Sequence, residues 1–267
     1  MARAELIELP SLLVDPAWLN DRLGTPGLRV VDLREQDAYV SAHVPGAARL
    51  DLSDLGSKVD GMDNVLLPPK DFGDLMSRCG ISNADAVVAY DDQWGLAAAR
   101  LVWALHRYGH DRVGVLDGGW DRWVDEGRPS AVGEEPIPDG TFEPVPRVDV
   151  YADREWIEDH AARGPVLLDT RTRAEFERGH LPGALCWDWF NAVPVGGWSV
   201  TRDPADLRAE WGALGVSEAD EVVVYCRSGM RAAHTYLVLK NAGFPRVRLY
   251  DGSWQEWSMK AEDAGGD

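Results

Sequence analysis

The chain has 267 residues, with 27 Lys plus Arg against 45 Asp plus Glu, for a formal net charge of −18. That length leaves room for two domains, and 45% hydrophobic with 27% charged residues is ordinary for a globular protein. The acidic excess excludes general affinity for nucleic acid or anionic lipid, and taken as a bulk figure it also speaks against a small anionic substrate.

The first residues, MARAELIELPSLLVDP, carry neither the basic region nor the apolar core of a secretion signal. No run of about 18 apolar residues marks a membrane span. Cys79, Cys186 and Cys226 are too few and too far apart for a disulfide framework, and no C-x-x-C pair marks a zinc site. A reducing cytoplasm is the expected compartment.

Along the chain, Asp15-Pro16 reads as a helix start, with an acidic N-cap and proline at the first helical position. Arg29–Val31 and Ala86–Ala89 are short apolar runs of the kind that form buried parallel strands. A helical stretch, Leu96–Tyr108, follows, and then VLDGGWDRW, ending at Trp123. Residues 128–148, rich in Pro, Gly and Glu and without helical or strand period, read as an extended interdomain linker. Beyond it the succession recurs: Asp153-Arg154 as a helix start, strands Val166–Leu168 and Glu221–Val224, helix Arg231–Ala242, and LYDGSWQEW ending at Trp257.

This recurrence is an internal repeat. Asp32 aligns with Asp169, Arg34 with Arg171, and His43–Ala47 with His180–Ala184. Six of the twelve tryptophans fall into matched pairs, Trp18/Trp156, Trp120/Trp254 and Trp123/Trp257, as expected of core anchors. The expectation is two duplicated α/β domains, 1–127 and 149–267, each with a parallel central sheet covered by helices on both faces. Ligands should bind beyond the carboxyl ends of the strands.

The copies disagree at one loop. In the second, EVVVY runs into Cys226-Arg227-Ser228-Gly229-Met230-Arg231 and then a helix. A cysteine between a buried strand and a helix N-terminus meets backbone N–H groups and the positive end of the helix dipole, which favour thiolate over thiol. Arg227 and Arg231 add positive charge, and Gly229 lets the backbone curl tightly. In the first copy the equivalent of Cys226 is Asp91, which cannot act as a sulfur nucleophile.

The D-x-R and G-H-x-P-G-A motifs (Asp169, Arg171, Gly179 to Ala184), the CRSGMR loop and the DGSWQEW ending together resemble the tandem-domain rhodanese family of thiosulfate and 3-mercaptopyruvate sulfurtransferases. The resemblance implies two rhodanese-like domains of which only the second is active. It also implies a cysteine, here Cys226, that cycles between thiolate and persulfide. The substrate would meet Arg227, Ser228, Gly229, Met230 and Arg231, with Arg171 a weaker candidate. The donor would be a small sulfur anion and the acceptor cyanide, a thiol or a small redox protein; no metal or organic cofactor is implied, nor any nucleic-acid or membrane partner.

Departures from the family pattern bear on the donor. Ser228 stands where long-studied thiosulfate enzymes have lysine, and Glu175 stands where both branches have a substrate-binding arginine. Arg227 replaces the glycine of the mercaptopyruvate branch, which favours thiosulfate. Four residues separate Cys226 from Arg231, one fewer than in cysteine phosphatases, so the loop suits an added sulfur better than a phosphate. Two alternatives stay open: 3-mercaptopyruvate as donor, and a sulfur carrier or redox sensor without multiple turnover. His43 and His180 read as turn residues, His234 as core or surface, Cys79 and Cys186 as structural, and Asp169 and Arg171 mainly as scaffold.

Overall fold

The computed structural model describes residues 6–264, with side chains to Met259. The first half runs β1 (Leu13–Val14), α1 (Pro16–Asn20), β2 (Leu28–Asp32), α2 (Gln36–Ser41), β3 (Ala47–Arg49), the hairpin β4 (Gly56–Val59) and β5 (Met62–Leu66), α3 (Pro69–Arg78), β6 (Ala86–Tyr90), α4 (Leu96–Arg107), β7 (Val113–Leu116) and α5 (Gly119–Asp125). The second half runs β8 (Tyr151–Ala152), α6 (Arg154–His160), β9 (Val166–Asp169), α7 (Arg173–Arg178), β10 (Leu185–Cys186), α8 (Pro204–Ala213), β11 (Val222–Tyr225), α9 (Met230–Asn241), β12 (Val247–Tyr250) and α10 (Ser253–Ala264).

Two five-stranded sheets result, ordered β1-β7-β6-β2-β3 and β8-β12-β11-β9-β10, with every pair parallel. The orders map onto each other strand by strand, which is the sequence repeat in three dimensions. The central strands β6 and β11 are buried along their whole length. That explains why they read as unbroken apolar runs without alternation. Asp15 caps α1 by accepting from Ala17 N, and Asp153 caps α6 by accepting from Trp156 N. The matched tryptophans pack alike: Trp18, Trp120 and Trp123 on the first core, Trp156, Trp254 and Trp257 on the second.

The chain divides into two compact units, and the division departs from contiguous boundaries in two places. Among the described residues the first unit holds 6–55, 67–146 and 196–200; the second holds 56–66, 147–195 and 201–264. Much of the expected linker folds onto the first unit. Ala131 bridges to His43, Gly140 N donates to Ser77 O, and Phe142 is buried. The exchanged segments end on equivalent aspartates: in the first unit Val200 N donates to Asp117 (3.0 Å), and in the second Leu66 N donates to Asp251 (2.9 Å). No helix among the described residues is long and apolar enough to cross a membrane.

Candidate active site

Cys226 follows the last residue of β11 at the carboxyl end of the second sheet, and is 1% exposed. Gly229 caps α9 at φ +85°, a left-handed conformation that a side chain there would strain. Three successive carbonyls of the loop are held from one side. Cys226 O accepts from Trp254 N (3.0 Å), Arg227 O from Gln255 N (3.1 Å), and Ser228 O from Asn64 Nδ2 (3.0 Å). In a trans peptide the next N–H points opposite to the carbonyl. The amides of Arg227, Ser228 and Gly229 therefore turn away from these partners. Cys226 N itself donates to Ser253 Oγ (3.3 Å), which in turn donates to Tyr250 O (2.7 Å).

The first unit shows what such a loop does with an anion. Asp91 Oδ1 accepts from the amides of Gln93 and Gly95 (both 2.8 Å), and Oδ2 from those of Ala97 (2.8 Å) and Ala98 (2.9 Å). Burial raises this carboxyl on balance, and the four amides pull against that rise. Because each oxygen accepts two N–H groups, only the carboxylate satisfies the arrangement in full. Gly95 and Gly229 each cap the following helix in a left-handed conformation, but Gly95 lies four positions after Asp91 and Gly229 three after Cys226, so the first-copy loop is one residue longer while both run from a buried strand into a helix N-terminus.

Arg231 is paired with Glu175 by two bonds, Nη1 to Oε2 (2.7 Å) and Nη2 to Oε1 (2.9 Å). Glu175 is placed by its own helix end: Thr172 N donates to Glu175 Oε2 (3.1 Å) and Glu175 N to Thr172 Oγ1 (3.3 Å), a capping box on α7. The Arg231 guanidinium holds the Glu175 carboxyl down at about 2. Glu175 in turn raises Arg231, and Cys226 adds to that shift as a nearby charge and hydrogen-bond partner. Arg231 thus sits between the sulfur and a carboxylate. A cleft of about 380 Å³ beside the loop is lined by Arg171, Glu175, Arg178, Arg227, Trp254 and Gln255, with Ser258 and Met259.

Of the residues singled out from the sequence, Cys226 to Arg231 form the loop, but only Arg227 among them lines the cleft. Arg171 lines it too, 3% exposed and held by Nε and Nη2: Nη2 donates to Asp169 (2.6 Å) and to Gly179 O (2.7 Å), and its guanidinium lies over Trp254. Arg34, Asp32, Ala42 O and Trp120 repeat this arrangement in the first copy. His43 stacks on Tyr39 and His180 on Phe176, and His234 is buried against Trp189. Burial pushes the Cys79 thiol up to about 11, and burial with nearby Asp169 raises Cys186. Sequence reasoning missed Asn64, Arg178, Ser253 and Gln255. Only Gln255 and Ser253 carried a signal, by lying in the repeated DGSWQEW segment.

A buried cysteine at the head of an amide-lined loop, in the second of two homologous parallel α/β units, defines a class built for a sulfur-centred anion. Rhodanese-like domains match residues 15–126 and 153–260. A thiosulfate sulfurtransferase of Corynebacterium glutamicum is 37% identical over 93% of this chain and 88% of its own length. A sulfur carrier protein of Thermus thermophilus is 33% identical over 93% and 94%. The structure of a 3-mercaptopyruvate sulfotransferase from Escherichia coli superposes with a TM-score of 0.83 at 26% identity, covering 91% of this chain and 99% of that one. The chain belongs to the rhodanese-like family, as a tandem-domain sulfurtransferase.

Proposed function

We propose that the chain moves sulfane sulfur from thiosulfate to cyanide or a thiol acceptor through a persulfide on Cys226. The observation that carries this reading is the Asp91 carboxylate, which accepts four amides in the silent copy of the loop. A loop of that geometry stabilises a single buried negative charge, and a cysteine persulfide is such a charge. The Cys226 thiolate attacks the outer sulfur of thiosulfate. The sulfur–sulfur bond of the donor breaks, sulfite leaves with the electron pair, and Cys226–S–S⁻ remains. The acceptor nucleophile then attacks the outer sulfur, forming thiocyanate or a new persulfide, and the Cys226 thiolate returns. Arg227 on the cleft wall and Arg231 beside the sulfur meet the donor's negative oxygens. Arg171, held to Asp169 and Gly179 O through Nε and Nη2, mainly keeps the loop's surroundings in place.

Arg227 favours thiosulfate over mercaptopyruvate, whose relatives have glycine at that position. Turnover measured side by side with the two donors tests the choice. Faster turnover with mercaptopyruvate would overturn it. A second reading, a sulfur carrier, is supported by the 1% exposure of Cys226 and by the Thermus thermophilus relative. Steady-state kinetics with thiosulfate and cyanide separate the two, because a carrier gives one stoichiometric burst and then stops.

A further inference from the structure

We propose that Asn64, from the half of the chain that lacks the cysteine, is a positioning residue for the Cys226 loop. The proposal rests on the reading of that loop as an anion cradle. The hairpin β4–β5 belongs to the second unit and is fastened there at three points. Leu66 N donates to Asp251 (2.9 Å), Asp63 N to Gln255 Oε1 (3.1 Å), and Gln255 Nε2 to Asp63 O (2.8 Å). Gln255 is also the residue whose amide holds Arg227 O. Between these fixings Asn64 takes φ +61°, a left-handed conformation that asparagine tolerates better than most residues. A side chain on Gly56 would come within 2.9 Å of Asn64 Oδ1, so the strand opposite keeps a glycine where Asn64 passes.

The consequence lies in the peptide that Asn64 grips. Of the three loop carbonyls held from outside, two are held by backbone amides of α10 and the third, Ser228 O, by the Asn64 side chain. Holding Ser228 O toward the hairpin turns Gly229 N–H the other way. Gly229 caps α9 as Gly95 caps α4, and the Gly95 amide donates to the built-in carboxylate at 2.8 Å in the first copy, whose loop is one residue longer. Asn64 therefore sets the direction of one of the dipoles that the thiolate and the persulfide meet, without touching either.

The test uses the full chain and reads Cys226 directly, independent of any sulfur donor. Asn64→Gly removes the amide while permitting the left-handed backbone; Asn64→Asp keeps the shape but places an acceptor against Ser228 O. The rate of Cys226 carboxamidomethylation by iodoacetamide is followed from acid to alkaline pH, with thermal melting as a check on folding. In both variants the profile should move to higher pH and the rate at neutral pH should fall about fivefold, with Asn64→Asp the more affected, as for one lost hydrogen bond to a charge. A profile that stays in place in both variants overturns the proposal, even if turnover falls. If native Cys226 alkylates normally but accepts no sulfur from thiosulfate, the functional reading fails and the positioning role is still decided by the profiles.

Discussion

At the scale of single residues the proposed chemistry turns on Cys226, Arg231 and Glu175. Replacing Cys226 by serine leaves an oxygen that cannot hold a second sulfur, so transfer should fall by more than about 10³-fold in a thiocyanate assay. Glu175 shows what sequence alone leaves out at one position. Compared with a family pattern, it looks like a missing anion contact. In space it is the partner of Arg231, 56 residues away, and no local spacing announces that pairing. Its folded value is depressed to about 2 from 4.5, so the stability that its ionised form brings is present above about pH 4.5 and lost as pH falls through about 2. The KM for thiosulfate should therefore show no inflection from this pair between about pH 5 and pH 9. Glu175→Gln keeps the helix cap but frees the Arg231 charge, and should lower that KM about fivefold. An unchanged or higher KM would mean that Arg231 does not meet the donor.

At the scale of elements, the strand–loop–helix unit was legible where its physics is local. The apolar runs of β2, β6, β9 and β11, the acidic caps of α1 and α6, and the glycine before α9 all follow from neighbouring residues. The mismatch between Asp91 and Cys226 was equally plain, but its meaning was not. Read from the sequence, Asp91 cannot form a persulfide and suits a helix N-terminus; the structure adds that four amides of its loop converge on it. Asp91→Ala would leave four amides without their acceptor in a buried site. It should destabilise the first unit by about 3 kcal/mol, read as an early transition in thermal or denaturant unfolding. Asp91→Asn should cost less, since one oxygen remains. Equal stability of native protein and the alanine variant would show that the amides find other partners. The hairpin β4–β5 lay beyond sequence reasoning for a different reason. Its polar, glycine-bearing strands follow no core period, and its binding partners lie about 165 to 190 positions later.

At the scale of the whole molecule, the repeat gave two parallel sheets, while their strand order and the reciprocal exchange of residues 56–66 and 196–200 could not be read from it. The opening charge count changes meaning here. Residues 221–250 carry one acid, Glu221, and five bases, a net of +4 inside a chain of −18. At about 0.15 M salt the screening length is about 8 Å, so a donor at the loop feels mainly the local arginines; at about 0.01 M it is about 30 Å, and the acidic remainder reaches it. Raising salt over that range should therefore increase kcat/KM for thiosulfate about two- to fivefold, whereas a simple basic site would lose rate. The central claim, that the amide-lined loop carries sulfur on Cys226, is tested most directly by the mass of the Cys226 peptide after thiosulfate treatment. The account predicts a gain of one sulfur atom on that peptide alone, removed by cyanide with release of thiocyanate. No gain at Cys226, or a gain at Cys79 or Cys186 instead, would contradict it.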